Sequence, residues 1–223
     1  RRGRADRARL RLGALDRRVI PLRDDVPSRT FPFVNYGLIA VNVVFFVLEL
    51  GMGAEIERFF LRATVIPALF SGPDRVFEAR DMLASFVDSE LRTRALLSMF
   101  LHGGFAHLIG NMLYLWIFGD NVEDRCGHIK YLVFYLLCGY VATFAHIWAD
   151  PRSRIPSLGA SGAIAGVLGA YMTLFPHARV VTLLPLGFFS ELVQLPAVFF
   201  LGFWFLQQFL LGLAEMGAPR TSG

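Results

Sequence analysis

The sequence has few charged residues and few cysteines. Both observations restrict the classes of protein to which the chain can belong. Charged residues make up 18% of the 223 residues, whereas hydrophobic residues make up 55% and the mean hydropathy is +0.50. A soluble globular domain usually carries about 25% charged residues. The two cysteines, Cys126 and Cys138, stand in a short polar loop and in an apolar run, so they predict neither a disulfide framework nor a metal site.

Internal repeats are also missing, as is the strict alternation of polar and apolar residues that membrane-spanning strands require. The apolar residues are instead gathered into long runs separated by polar stretches, a pattern typical of repeated membrane-spanning helices. We therefore predict an all-α polytopic membrane protein, a helical bundle with five spans. The predicted spans are residues 33–50, 103–122, 129–149, 158–175 and 195–214.

The segments between these runs predict the organisation of the chain. Residues 1–30 hold ten of the 22 basic residues and four acids, which favours a cytoplasmic N-terminal tail, with residues 31–223 forming the membrane domain. Residues 51–102 are mixed in character and are interpreted as a long outer loop carrying interfacial helices, with 79–86 among them. Val180–Val193 is apolar but broken by Pro185 and Gly187, and is interpreted as an interfacial or re-entrant connector.

A serine, an asparagine and two histidines are candidates for chemistry. His107 and Asn111 are four residues apart, so they share one face of a helix. Ser161 begins the fourth run and His146 lies near the end of the third, so the predicted topology brings all four to the same depth on one side of the membrane. This set suits acyl transfer, in which a serine attacks a carbonyl and His or Asn side chains stabilise the oxyanion.

Other interpretations of the same residues stay open on spacing alone. Glycines around Ser161 are also typical of close helix packing, and His107 with Asn111 could be an interhelical hydrogen-bond pair. A metal site of His102, His107 and His146 is disfavoured because no carboxylate-bearing motif such as H-E-x-x-H accompanies it. A transporter or channel is disfavoured since Glu49, Glu191 and Glu215 all lie near the ends of runs.

Three segments resemble the rhomboid family, over roughly residues 92–177. H-G-G-F-A-H-L-I-G-N-M-L-Y-L-W-I-F-G-D-N-V-E-D, from His102, resembles the second span of that family, and G-A-S-G-A-I-A-G-V-L-G-A-Y-M, from Gly159, resembles its fourth span. Arg94, in T-R-A-L-L-S-M-F, resembles the basic residue of the family's first outer loop.

The resemblance implies an intramembrane serine endopeptidase in which Ser161 is the nucleophile and His107 and Asn111 form the oxyanion hole. It implies no metal, no organic cofactor and no nucleic-acid partner. The partners it implies are the lipid bilayer and membrane proteins whose transmembrane segment is helix-destabilised. We expect a multi-pass protein of a bacterial inner membrane with a cytoplasmic N-terminus. The alternative is an inactive rhomboid-like protein that binds membrane clients.

The sequence departs from the family pattern in one respect. Rhomboids pair the serine with a histidine on a sixth span, whereas none of the five histidines here lies beyond His177. We therefore expect a chain truncated before that span, with five spans of an expected six and without activity in this form. His146 is the one candidate substitute for the missing base, and nothing in the sequence directs it at Ser161.

Overall fold

The computed structural model describes residues 20–70, 88–186 and 189–217. The predicted amphipathic piece at 79–86 lies outside the described residues. The helices are α1 (Phe33–Gly51), α2 (Ile56–Ala63), α3 (Pro67–Phe70), α4 (Ser89–Ser98), α5 (Phe105–Tyr114), α6 (Asp120–Cys126), α7 (His128–Ala149), α8 (Ser161–Leu174) and α9 (Ala197–Gly217), with short turns of 3-10 helix at Gly53–Glu55 and of π-helix at Leu115–Gly119. The strands are β1 (Ile20–Asp24), β2 (Arg179–Leu186) and β3 (Phe189–Pro196).

The chain is mostly helical, and helices occupy all five apolar runs. Helix α5 continues through the π-helical turn into α6, and Gly127, at a φ of 82°, ends that stretch before α7 begins. Within the part that the structure describes, α1 and α7 have the length and apolar character to cross a membrane, at 19 and 22 residues. The apolar stretches of α8 and α9, Ser161–Leu174 and Ala197–Gly212, are shorter.

The prediction of a helical fold is confirmed for most of the chain, but the structure also contains a three-stranded antiparallel sheet in the order β1-β2-β3, so the fold is not all-α. The connector predicted at 180–193 lies in the hairpin of β2 and β3, and residues 20–24 of the predicted tail form β1, pairing Ile20 with Leu183 and Asp24 with Val180. The run Val180-Val181-Thr182 has high strand propensity. Pro185 lies beyond Leu183, the last residue of β2 that pairs with β1, so among the residues that the structure describes this part of β2 has a free edge, where a proline is tolerated.

Helices α7 and α8 pack closely through small residues. A methyl group added at Gly162 would lie 2.4 Å from Ala142 Cβ, and one added at Gly166 would lie 2.3 Å from Cys138 Sγ. The packing interpretation of the glycines is thus confirmed at these two positions, since any side chain there would push the helices apart. The core beside this contact contains fully buried residues from α7, α8, α9 and the π-helical turn, among them Phe118, Tyr131, Val167 and Leu201.

The loop that leads into α8 is fixed by backbone hydrogen bonds to the segment just after α2 and to the end of α4. The Ser157 N–H donates to the Val65 carbonyl at 2.7 Å, and the Gly159 N–H donates to the Ser98 carbonyl at 2.8 Å. Arg94 holds α4 to α2, since its guanidinium donates to the Leu61 carbonyl at 2.9 Å. Residues of the long segment predicted as an outer loop therefore hold the start of α8 in place.

Candidate functional site

Ser161 is the first residue of α8, and its side chain is exposed. It lines a cavity of about 170 Å³ between the end of α4, the middle of α7 and the start of α8. The first N–H groups of a helix have no acceptor within the helix, and they carry the positive end of its dipole. The serine hydroxyl therefore lies at a position where negative charge on a bound group is favoured.

Gly159 connects Ser161 to the residues predicted on α5. Its φ of 107° lies in the left-handed region, which glycine adopts without strain. A methyl group on Gly159 would lie 2.6 Å from both Cε1 and Nε2 of His107, and 3.7 Å from Asn111 Nδ2. The structure thus brings His107 and Asn111 against the turn that precedes Ser161.

A buried hydrogen-bond chain holds Asn111. Asn111 Nδ2 lies 3.0 Å from His102 Nε2, and His102 Nδ1 lies 3.2 Å from the Phe100 carbonyl oxygen. The backbone N–H of His102 donates to both carboxylate oxygens of Glu49, at 3.1 and 3.4 Å. Burial, together with the neighbouring His107 ring 5.1 Å away between centroids, lowers the pKa of His102 to about 4.

The remaining histidines do not join this group. His146 is absent from the residues that line the Ser161 cavity, although Ala142 and Thr143 of the same helix line it. His128 begins α7, at the helix end remote from Thr143, and contacts Glu123 through Nδ1 at 2.5 Å. His177 is exposed in the turn after α8. A role for His146 as a base for Ser161 therefore stays a prediction.

A second polar network lies at the opposite end of the bundle and has a structural explanation. The buried carboxylate of Glu123 accepts from the backbone N–H groups of Val34 and Asn35 at 3.1 and 2.7 Å, which satisfies the otherwise unpaired start of α1. The Asn35 side chain donates to the Leu115 carbonyl and accepts from the Tyr131 hydroxyl. These hydrogen bonds give Glu123, Asn35 and Tyr131 a structural role, so a catalytic role is not needed to explain them.

Sequence reasoning missed two parts of the site. The sequence gives His102 only a disfavoured metal role, and it gives Glu49 only a position near the end of an apolar run. Both are buried, at 1% and 5% exposure, and both contact the Asn111 side of the site. A carboxylate at the end of an apolar run was the available signal, because such a group requires a hydrogen-bond partner. In the described part of the chain, no group of three His, Cys, Asp or Glu side chains is placed to hold a metal ion.

The arrangement combines an exposed serine at a helix start with an imidazole and an amide beside the preceding turn. Such a set can place a nucleophile and two hydrogen-bond donors around one carbonyl group. The family model of the rhomboid domain matches residues 90–218, which include every residue of this site except Glu49. The chain therefore belongs to the rhomboid family, and the resemblance found in the sequence is confirmed.

Curated relatives match over part of the chain. Rhomboid protein 1, mitochondrial, of Saccharomyces cerevisiae is 39% identical over 87 residues, which cover 37% of this chain and 25% of the yeast protein. Presenilin-associated rhomboid-like protein A, mitochondrial, of Danio rerio is 38% identical over 105 residues, covering 44% and 27%. RHOMBOID-like protein 5 of Arabidopsis thaliana is 33% identical over 87 residues, covering 39% and 28%. The chain thus matches only about a quarter of the length of these relatives.

These relatives correct the expected location. The sequence predicted a multi-pass protein of a bacterial inner membrane with a cytoplasmic N-terminus. The yeast and zebrafish relatives are mitochondrial proteins by name, which contradicts the bacterial assignment. Basic residues beside a first span indicate which end of the span stays on the inner side of a membrane. They do not identify which membrane it is.

Proposed function

We propose that this chain is part of an intramembrane serine endopeptidase that cleaves the transmembrane segments of other membrane proteins. In this proposal Ser161 is the nucleophile, and His107 and Asn111 stabilise the oxyanion. The observation that carries it is the contact of the Gly159 turn with His107 and Asn111, because this contact sets the start of α8 beside both side chains. Membership of the rhomboid family supports the same reaction class.

The chemistry assigned to the site has two stages. The Ser161 hydroxyl oxygen bonds to the carbonyl carbon of the substrate while its proton passes to a base, and the carbonyl oxygen becomes an oxyanion that accepts hydrogen bonds from His107 and Asn111. The C–N bond then breaks, and the amine leaves with the proton returned by the base. Water hydrolyses the resulting ester and regenerates the serine. The family resemblance assigns the base to a histidine on a further span, and none of the five histidines here lies beyond His177.

The proposal also includes the arrangement in the bilayer. The helical stretches 33–51, 105–126, 128–149, 161–174 and 197–217 are proposed to cross the membrane, within a membrane domain of residues 31–223. Substrates are proposed to be membrane proteins with a helix-destabilised segment, since a peptide bond must leave its helix to reach a serine hydroxyl.

The test uses the full-length protein that contains this chain, in proteoliposomes. A fluorophosphonate probe should label Ser161, as located by mass spectrometry, and Ser161→Ala should abolish both labelling and cleavage of a membrane substrate with Gly and Pro in its span. Ser190→Ala, at an exposed position of β3, is the matched control and should keep both. Unchanged cleavage by Ser161→Ala would refute the serine mechanism. Substrate binding without labelling or cleavage in the wild type would favour the client-binding alternative.

A further inference from the structure

We propose that His102 is a positioning residue that fixes the orientation of the Asn111 side-chain amide. The inference deepens the proposed function and rests on it, since it concerns how one oxyanion donor is held. The geometry that carries it is the chain from the Phe100 carbonyl through the His102 ring to Asn111 Nδ2. His102 is 1% exposed and Asn111 is 8% exposed, so these hydrogen bonds are shielded from solvent.

The hydrogen positions in this chain follow from the partner of His102 Nδ1. A carbonyl oxygen only accepts hydrogen bonds, so Nδ1, 3.2 Å from the Phe100 oxygen, carries the hydrogen. In a neutral imidazole the other nitrogen is then an acceptor. His102 Nε2, 3.0 Å from Asn111 Nδ2, therefore accepts from the asparagine NH2 group.

This contact decides which end of the Asn111 amide faces the site. A carboxamide has a donor end and an acceptor end of almost the same shape, and nothing in its packing alone distinguishes them. If the amide turned over, its oxygen would face the lone pair of His102 Nε2, and the two acceptors would repel each other. With the NH2 group held in place, its second hydrogen is free to donate to an oxyanion. A turned-over amide would instead present an oxygen where negative charge develops.

The position of His102 is fixed in turn by α1. The carboxylate of Glu49, 5% exposed near the end of α1, accepts the backbone N–H of His102 with both oxygens. His102 is thus held at its backbone N–H by Glu49 and at its ring Nδ1 by the Phe100 carbonyl.

The experiment is a double-mutant cycle on cleavage by the full-length protein in proteoliposomes, with His102→Ala, Asn111→Ala and the double variant. If His102 acts through Asn111, His102→Ala should lower kcat by about 10- to 100-fold, in the range that misplacement of a catalytic group causes, with a smaller change in KM. The double variant should then be no slower than Asn111→Ala alone. Multiplicative losses in the double variant would overturn the proposal, as would a His102→Ala variant with wild-type kcat.

A second pair of variants tests the same proposal if His102→Ala does not fold. His102→Gln retains an acceptor near the position of Nε2, whereas His102→Leu fills the space without one. The Gln variant should retain at least about tenfold more of kcat than the Leu variant, and equal rates would overturn the positioning role. Ser161→Ala is included in the same assay. If Ser161→Ala abolishes cleavage while the kcat losses of His102→Ala and Asn111→Ala multiply in the double variant, the inference about His102 fails and the proposed function stands. If it cleaves like the wild type, both are refuted.

Discussion

Gly159→Ala should damage the candidate site, and the structure gives the reason in two parts. The backbone at Gly159 has a φ of 107°, and a residue with a Cβ held in such a sparsely populated region costs about 1–3 kcal/mol. The added methyl would also lie 2.6 Å from His107 Cε1 and Nε2. Since carbon atoms in contact lie about 3.5–4.0 Å apart, the ring would have to move by about 1 Å.

A displacement of that size at a catalytic group costs about 10² in rate. We therefore expect Gly159→Ala to lower kcat about 100-fold and to lower the thermal midpoint of the purified protein. The measurements are the initial rate of cleavage in proteoliposomes and thermal unfolding in detergent. Gly37→Ala, in α1, is the matched control, because a Cβ there meets nothing within 4 Å. That variant should cleave at the wild-type rate and be slightly more stable.

The reasoning is refuted if Gly159→Ala cleaves at the wild-type rate with an unchanged thermal midpoint. A fall in stability with unchanged kcat would confirm the backbone strain and contradict the proposed role of the His107 ring beside the turn.

Three further predictions concern the donors, the packing and the pH dependence. Asn111→Ala should slow cleavage by about 10²–10³, or about 2.7–4 kcal/mol, with the thermal midpoint retained, and a near-wild-type rate would make Asn111 a packing residue. Gly166→Ala should lower the thermal midpoint, at a cost of about 1–3 kcal/mol, because its methyl would lie 2.3 Å from Cys138 Sγ, and an unchanged midpoint would refute this close helix contact. The pKa of His102 falls on folding from 6.5 to about 4, so the folded state resists its protonation, and the stability present above pH 6.5 should be lost as the pH falls to 4. His102→Gln should show a shallower loss in thermal unfolding across that pH window, and parallel curves would contradict the assignment.

The amino-acid sequence alone predicted the helices and the chemical character of the site. Long apolar runs specify helices locally, because burial of side chains and satisfaction of backbone hydrogen bonds depend on residues close in the chain. Every predicted run contains a helix, and the spacing of His107 and Asn111 placed both on one face of α5. The packing role of Gly162 and Gly166 was one of two interpretations that spacing left open, and the contact distances decided it.

Contacts between distant segments were decided only by the tertiary structure. Strand β1 pairs with β2 more than 150 residues away, and a five-residue strand within a basic segment has no local signal that distinguishes it from a tail. The orientation of Asn111 depends on His102, whose backbone is held by Glu49 at a sequence distance of 53. The positive φ of Gly159, and the close approach of His107 that requires a glycine there, exist only once α5 and α8 pack together. Residue type and spacing thus set which groups could react, and the packing of helices distant in sequence set which of them meet.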